Sequence, residues 1–309
     1  MKIVITGCSG YIGSYVVSNL AKKYPNAEYI LVDKFINENY MDYFSIKKKS
    51  NYNFHEVDIL SDNILPLFRN ANFVIHLSAI IDKKSLEDDK GTIFDENIEC
   101  TSKIAKTCTQ TSSRMIALSS ASVYGTNSDK VPEECSSEDI NPQSQYALSK
   151  LREEEVINDL CLNKGLHATI FRFASIFGVS PHMKFHTVIN KFCKQAVLSQ
   201  PITIWRTAFE QKRPYLDIID ASNAISFLID NDFFDGDTCN VSTNTFTVHH
   251  IVNTIKKYIP NVKISFVDEP IMNEWSYGVS CDRLINSGFV FTGDLQRGIK
   301  ETIEYIRLN

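Results

Sequence analysis

The chain opens Met1-Lys2-Ile3-Val4-Ile5-Thr6-Gly7-Cys8-Ser9-Gly10-Tyr11-Ile12-Gly13, and this stretch decides the fold. Residues 3–6 form a short, largely β-branched run, the pattern of a strand buried on both faces. Three glycines follow at a spacing of three, Gly7, Gly10 and Gly13. Glycine is what a tight strand-to-helix turn needs, and a missing Cβ lets backbone come close to a phosphate. A helical pattern over residues 11–24 follows, so the N–H groups of its first turn face the same point. A plain turn is the competing reading, and the strand before and helix after count against it.

The rhythm set here continues. Residues 29–33, 54–58, 73–77, 115–119 and 168–173 read as further strands. Helical patterns at 63–69, 92–110 and 143–162 separate most of them. Strand-helix-strand repetition predicts right-handed crossovers and an α/β fold, a doubly wound parallel Rossmann sheet. After about residue 178 the elements become shorter and mixed. Helices are expected at 185–198, 221–229, 248–258 and 294–306, with strands at 202–205, 213–218, 237–241 and 263–267. This is read as a smaller mixed α/β substrate domain. The expected division is 1–177 for the dinucleotide domain, with a return segment around 213–235, and 178–309 mainly for the substrate.

Asp33 ends the second predicted strand, 33 − 13 = 20 residues after Gly13. A carboxylate at that distance accepts from ribose hydroxyls and repels a 2′-phosphate, which favours NAD over NADP. Lys34 beside it points the other way, and a turn-forming Asp is the bland alternative. Ser9, Tyr11 and Ile12 complete the loop facing the cofactor. Cys8 is read as a small loop residue, because a side chain there shares space with the cofactor.

Tyr146-Ala147-Leu148-Ser149-Lys150 sets a phenol and an ammonium four residues apart, on one face of a helix. An ammonium favours phenolate and lowers the phenol pKa from about 10 toward the range of a general base. Oxidising an alcohol with NAD needs such a base. The motif is common, and a second copy at Tyr43 and Lys47 is rejected because no helical pattern surrounds it. Ser119-Ser120-Ala121-Ser122 closes the strand at 115–119, at the carboxyl edge of the sheet. A Ser120 hydroxyl there can donate to a developing oxyanion; a capping serine is the alternative.

Composition excludes several classes. A net charge of -5 argues against a nucleic-acid partner. Lys47-Lys48-Lys49 is the one basic run, in a polar stretch, and reads as a solvated loop. Eight cysteines lie scattered without a C-x-x-C pair, which fits neither a zinc site nor a small disulfide framework, so no metal is expected. The opening apolar run is too short for a signal peptide, and no stretch approaches the ~20 apolar residues that span a bilayer. A cytoplasmic protein with no membrane association is expected.

Taken together, these residues resemble the extended short-chain dehydrogenase/reductase family, of the NAD-dependent sugar-nucleotide epimerase/dehydratase type. The resemblance assigns Asp58 and Ile59 to adenine, and Leu77, Ser78, Ala79, Asn97, Ser119 and Phe173 to the cofactor. Ser120, Tyr146 and Lys150 fall on its catalytic triad. Arg172-Phe173-Ala174-Ser175-Ile176-Phe177-Gly178 is similar to its R-x-x-N-x-Y-G segment. Arg213-Pro214-Tyr215-Leu216-Asp217 is similar to the segment whose arginine binds the substrate diphosphate. Ser120, Ser122, Tyr146, Ser175 and Arg213 are thereby implied as substrate-binding residues, the substrate being a nucleotide-diphosphate sugar and the assembly a homodimer. Ser175, Cys100 and Pro214 depart from the family pattern, as does the 205–208 turn. Ala121 and Ser122 stand where dehydratases of the family carry an acidic pair. That leaves 4-epimerisation as the expectation, with reduction, dehydrogenation or dehydration as alternatives, and a non-catalytic NAD-binding regulator as the second.

Overall fold

In a computed structural model, residues 1–34, 51–80, 92–268 and 275–309 are described, without the side chains of residues 92 and 93. Tyr43, Lys47 and the lysine run lie outside them. Two compact units divide the chain. The first takes in Met1–Ser120, Ser144–Arg172 and Ile225–Cys239; the second takes in Ala121–Gln143, Phe173–Ala224 and Asn240–Asn309.

The first unit is built on β1 (Lys2–Thr6), β2 (Glu28–Asp33), β3 (Tyr52–Glu56), β4 (Phe73–His76), β5 (Arg114–Ser120), all but the last residue of β6 (Ala168–Phe173) and the first half of β10 (Thr238–Val241). Their order across the sheet is β10-β6-β5-β4-β1-β2-β3. β1 pairs in parallel with both β2 and β4, in registers that set Thr6 opposite Val32 and His76. Strand order therefore reverses at β1 and β4, and in open α/β sheets the carboxyl ends at such a reversal are where ligands bind. The helices of this unit include α1 (Tyr11–Lys23), α2 (Leu65–Phe68), α3 (Thr92–Thr111) and α4 (Gln145–Lys164). β1, β4 and β6 are buried at nearly every position, which is why their sequences run apolar and do not alternate. Val4, Val74, Met115, Ile104, Ile157 and Ile170 share one core between sheet and helices.

The second unit carries β7 (Ser175–Phe177), β8 (Ile202–Trp205), β9 (Lys212–Asp217), β11 (Asn244–Thr247) and β12 (Ile264–Val267). They form a three-stranded sheet, β11-β9-β7, and a two-stranded one, β12-β8. With them are α5 (Val188–Val197), α7 (Val248–Lys256), α8 (Asp282–Asn286) and α9 (Leu295–Leu308), while α6 (Ile218–Asn231) runs from this unit into the first. Phe192, Ile204, Tyr215, Ile251 and Ile299 share its core. β7, β11 and α8 are additions to the elements read from sequence. β7 has three residues and β11 is the polar Asn-Thr-Phe-Thr, so neither shows a period. Among the described residues, no helix is long and apolar enough to cross a membrane.

Candidate active site

The glycine turn sits at the reversal of strand order. Gly7 has φ +70°, the left-handed region, and a Cβ there would lie 2.7 Å from the carbonyl carbon of Leu77 and from Ser78 N. Only a residue without a side chain lets the end of β1 lie so close to the end of β4. At Gly13 a Cβ would fall 2.1 Å from the Gly7 carbonyl oxygen, so helix and turn are in direct contact. Gly10 differs: a Cβ there would meet only the Gly7 oxygen within 4 Å, at 3.3 Å. Gly10 also starts α1, which has no side-chain cap and no acidic residue in its first turn. An uncapped, positively polarised helix start beside an open glycine is a cradle that fits a phosphate group.

Asp33 stands next to this turn. Its Oδ2 accepts from Ser9 N at 2.9 Å and Ser9 Oγ at 2.7 Å, which ties the ribose candidate to the phosphate candidate. Asp58 forms a partly exposed ion pair with Lys34 at 3.0 Å. Ile59 is buried in the core of the first unit. Leu77, Ser78 and Ala79 are half-buried beyond β4. Asn97 is buried and grips the backbone of Ile80 twice: Oδ1 accepts from Ile80 N at 2.9 Å and Nδ2 donates to Ile80 O at 3.1 Å. It fixes the course of the chain after β4.

α4 places the phenol and the ammonium. Ser144 caps it, accepting from Ala147 N at 3.1 Å, and Gly165 ends it at φ +71°. The helix packs on α3 and β5. Tyr146 is half-buried in its first turn, and Lys150 is buried one turn later, its Nζ 5.9 Å from the centre of the Tyr146 ring. Ser119 and Ser120 end β5. Ser120 is half-buried, whereas Ser119 is buried and donates to Glu154.

Two carboxylates below this pair were not legible as site residues. Lys150 Nζ donates to Glu153 Oε2 at 2.9 Å, and Thr101 Oγ1 donates to the same oxygen at 2.8 Å. Behind Thr101 stand His76 Nε2 at 3.0 Å and, on the far side of that ring, Thr6 Oγ1 2.8 Å from Nδ1. Glu154 binds Arg172 through two contacts, at 2.9 and 2.6 Å. Burial pushes the Tyr146 phenol above its usual range; Lys150 pulls it down and Glu153 pushes it up again. The net direction is opposite to the depression expected from Lys150 alone, because burial, with a further push from Glu153, outweighs the pull of the ammonium. For Lys150, burial disfavours the charge, but Glu153 and Tyr146 together with smaller contributions outweigh it, so its pKa is raised.

The second unit holds the remaining expected residues. Phe173 is buried at the end of β6, and Ser175 is exposed on β7. Ser122 is half-buried in a short 3-10 turn over Ala121–Val123. Arg213 lies on β9, over the Tyr277 ring at 5.4 Å, donating to the carbonyl of Trp275 and, at 3.2 Å, to Gln211. Burial lowers its pKa.

The description of the NAD dependent epimerase/dehydratase family matches residues 3–242. The chain belongs to this family. It is 28% identical over 256 residues to YtcB of Bacillus subtilis, described as an uncharacterized UDP-glucose epimerase, spanning 78% of this chain and 76% of that protein. It is 25% identical, over its whole length, to an Arabidopsis thaliana trifunctional UDP-glucose 4,6-dehydratase/UDP-4-keto-6-deoxy-D-glucose 3,5-epimerase/UDP-4-keto-L-rhamnose-reductase, RHM2, of which it spans 47%. In fold it matches the UDP-glucuronic acid 4-epimerase of Bacillus cereus, solved with UDP-glucuronic acid and NAD. The TM-score is 0.90 with 22% identity, covering 100% of this chain and 99% of that one. The family is one of enzymes, and the expected fold class, a parallel Rossmann sheet with a smaller mixed part, is the one observed.

Proposed function

We propose that this enzyme is an NAD-dependent 4-epimerase of a nucleotide-diphosphate sugar. The observation that carries the reading is Tyr146 one turn ahead of a buried Lys150 on α4, which packs on the strand ending at Ser120. Ala121 and Ser122 follow, neither able to act as acid or base near neutral pH.

The turn at Gly7, Ser9, Gly10, Tyr11, Ile12 and Gly13 would hold the cofactor pyrophosphate, and Asp33 the adenosine ribose. Asp58 and Ile59 would flank adenine, while Leu77, Ser78, Ala79, Asn97, Ser119 and Phe173 would line the rest. NAD, when bound, supplies a hydride acceptor that can later give the hydride back. Tyr146 takes the proton of the sugar hydroxyl and later returns it. Ser120 donates to the same oxygen and holds it during that transfer. Lys150 has three N–H donors and uses one on Glu153, which leaves donors to orient the nicotinamide ribose. Ser122, Ser175 and Arg213 are assigned to the substrate, with Arg213 at its diphosphate. A homodimer acting in the cytoplasm completes the reading.

A screen of UDP-, GDP-, dTDP- and CMP-sugars against the NAD-loaded protein tests it. The expected result is a 4-epimer formed without net NADH, and its loss in Tyr146→Phe with NAD binding kept. Stoichiometric NADH change would instead make the protein a reductase or dehydrogenase.

A further inference from the structure

Glu153 is 4% exposed, yet only one of its oxygens is satisfied. Oε2 takes both donors, Lys150 Nζ and Thr101 Oγ1, while Oε1 is buried with no hydrogen-bond partner among the described residues. Such a half-satisfied buried pair is poor stabilisation, and an apolar residue would serve packing as well.

The protons of the chain leading to it can be assigned from the network. A carboxylate only accepts, so the single proton of Thr101 goes to Glu153. Thr101 must then accept from His76 Nε2, which leaves Nδ1 to accept from Thr6. Burial and Lys150 hold the His76 pKa down to about 3, which keeps the ring neutral and fixes Nδ1 as the acceptor. Every hydrogen bond of the chain points toward Glu153.

Other charged groups near this point are spoken for. Glu154, the next residue, is paired with Arg172 of β6 and accepts from Ser119 of β5. Cys100 on α3 is kept protonated, its thiol pushed up to about 12 by burial and then by Glu153. Lys34 and Asp58, paired with each other, act on that same thiol with opposite signs. The uncompensated relation is thus among Tyr146, Lys150 and Glu153. The ammonium lies 5.9 Å from the phenol ring and 2.9 Å from the carboxylate. At these separations an opposite charge changes a neighbour's ionisation strongly, and the carboxylate opposes what the ammonium does to the phenol.

We propose that Glu153 is a positioning residue of the active site: it holds the Lys150 ammonium in place and offsets much of its field at the Tyr146 hydroxyl, so the base ionises at higher pH than Lys150 alone would set. This rests on Tyr146 being the base, as read above. The test is a carbon-13 NMR titration of whole protein carrying ring-labelled tyrosine, with the Tyr146 resonance identified by its loss in Tyr146→Phe. Glu153→Gln should move the Tyr146 midpoint down by about one pH unit, a tenfold gain in acid dissociation. Glu153→Asp, which keeps the charge, should restore it to near the wild-type value. Thr101→Val removes a donor that disperses the carboxylate's charge and should move the midpoint up. A purely structural role would not produce shifts of opposite sign. An unchanged or higher midpoint in Glu153→Gln overturns the proposal. Should Glu153→Gln fail to fold, a Thr101→Val midpoint that does not rise overturns it equally. Full turnover in Tyr146→Phe would defeat the functional reading instead, since the titration needs no substrate.

Discussion

Glu153 and Glu154 are neighbours in sequence, both at most 4% exposed, and they sit in opposite electrostatic situations. Both oxygens of Glu154 are filled, by Arg172 at two points and by Ser119, so it ties α4 to β5 and β6. Among the described residues Glu153 has one filled oxygen and one without a partner, and its charged partner is the lysine beside the candidate base. A saturated carboxylate is a structural clamp; a half-saturated one beside a reacting group sets how that group ionises.

This contrast has measurable consequences. The largest is expected on the Tyr146 face of the helix, where Tyr146→Phe should cut turnover by about 10²–10⁴-fold with NAD binding retained. Steady-state kinetics and NAD titration check both halves. Next comes the clamp. Glu154→Gln leaves Arg172 buried without a counter-charge and should cost about 3–5 kcal/mol in urea unfolding, with the Tyr146 titration unmoved.

His76 gives an effect of intermediate size. Its folded pKa of about 3 lies below the ordinary value near 6.5, so the unfolded chain binds the extra proton between these pH values. Stability is whole above about pH 6.5 and falls as pH drops through that window, by at most ~1.36 kcal/mol per pH unit. Urea midpoints measured from pH 7 to pH 4 should show the decline, and His76→Phe should flatten it. The smallest effect is the electrostatic one: Glu153→Gln should move the Tyr146 midpoint down by about one pH unit, while its stability cost matches the clamp's, about 3–5 kcal/mol, because the buried Lys150 loses its counter-charge too. Equal movement of the Tyr146 midpoint in the two glutamine variants would erase the distinction drawn between them.

The contrast also marks what could be read from sequence. The glycine turn, the strands around it and the Tyr146–Lys150 spacing were legible because each is a local pattern: a turn chemistry, an apolar run, a helical repeat. β6 and β8 fall on the residues expected, and α1 and β2 within one residue at either end. β3 is displaced toward Tyr52, because alternation between Tyr52, Asn53 and Phe54 gives way to a loop after Glu56. Glu153 and Glu154 were not legible. They belong to a run of three glutamates, which reads as a solvated helix face, and i,i+3 lysine–glutamate pairs are usually exposed. What buries them is Thr101 on α3, 52 residues away, and Arg172 on β6, 18 residues away. The sheet of β7, β9 and β11 was hidden for a similar reason, since its pairing joins short segments with no period of their own.

The claim on which all of this depends is that a hydride leaves one sugar carbon and returns to it while Tyr146 manages the proton. The direct measurement uses whichever nucleotide sugar the screen selects, deuterated at C4, with product isolated from ordinary water. The expected product is a 4-epimer that keeps its deuterium at C4, formed by the wild type and not by Tyr146→Phe. Loss of the label to solvent, or equal conversion by the variant, would contradict it.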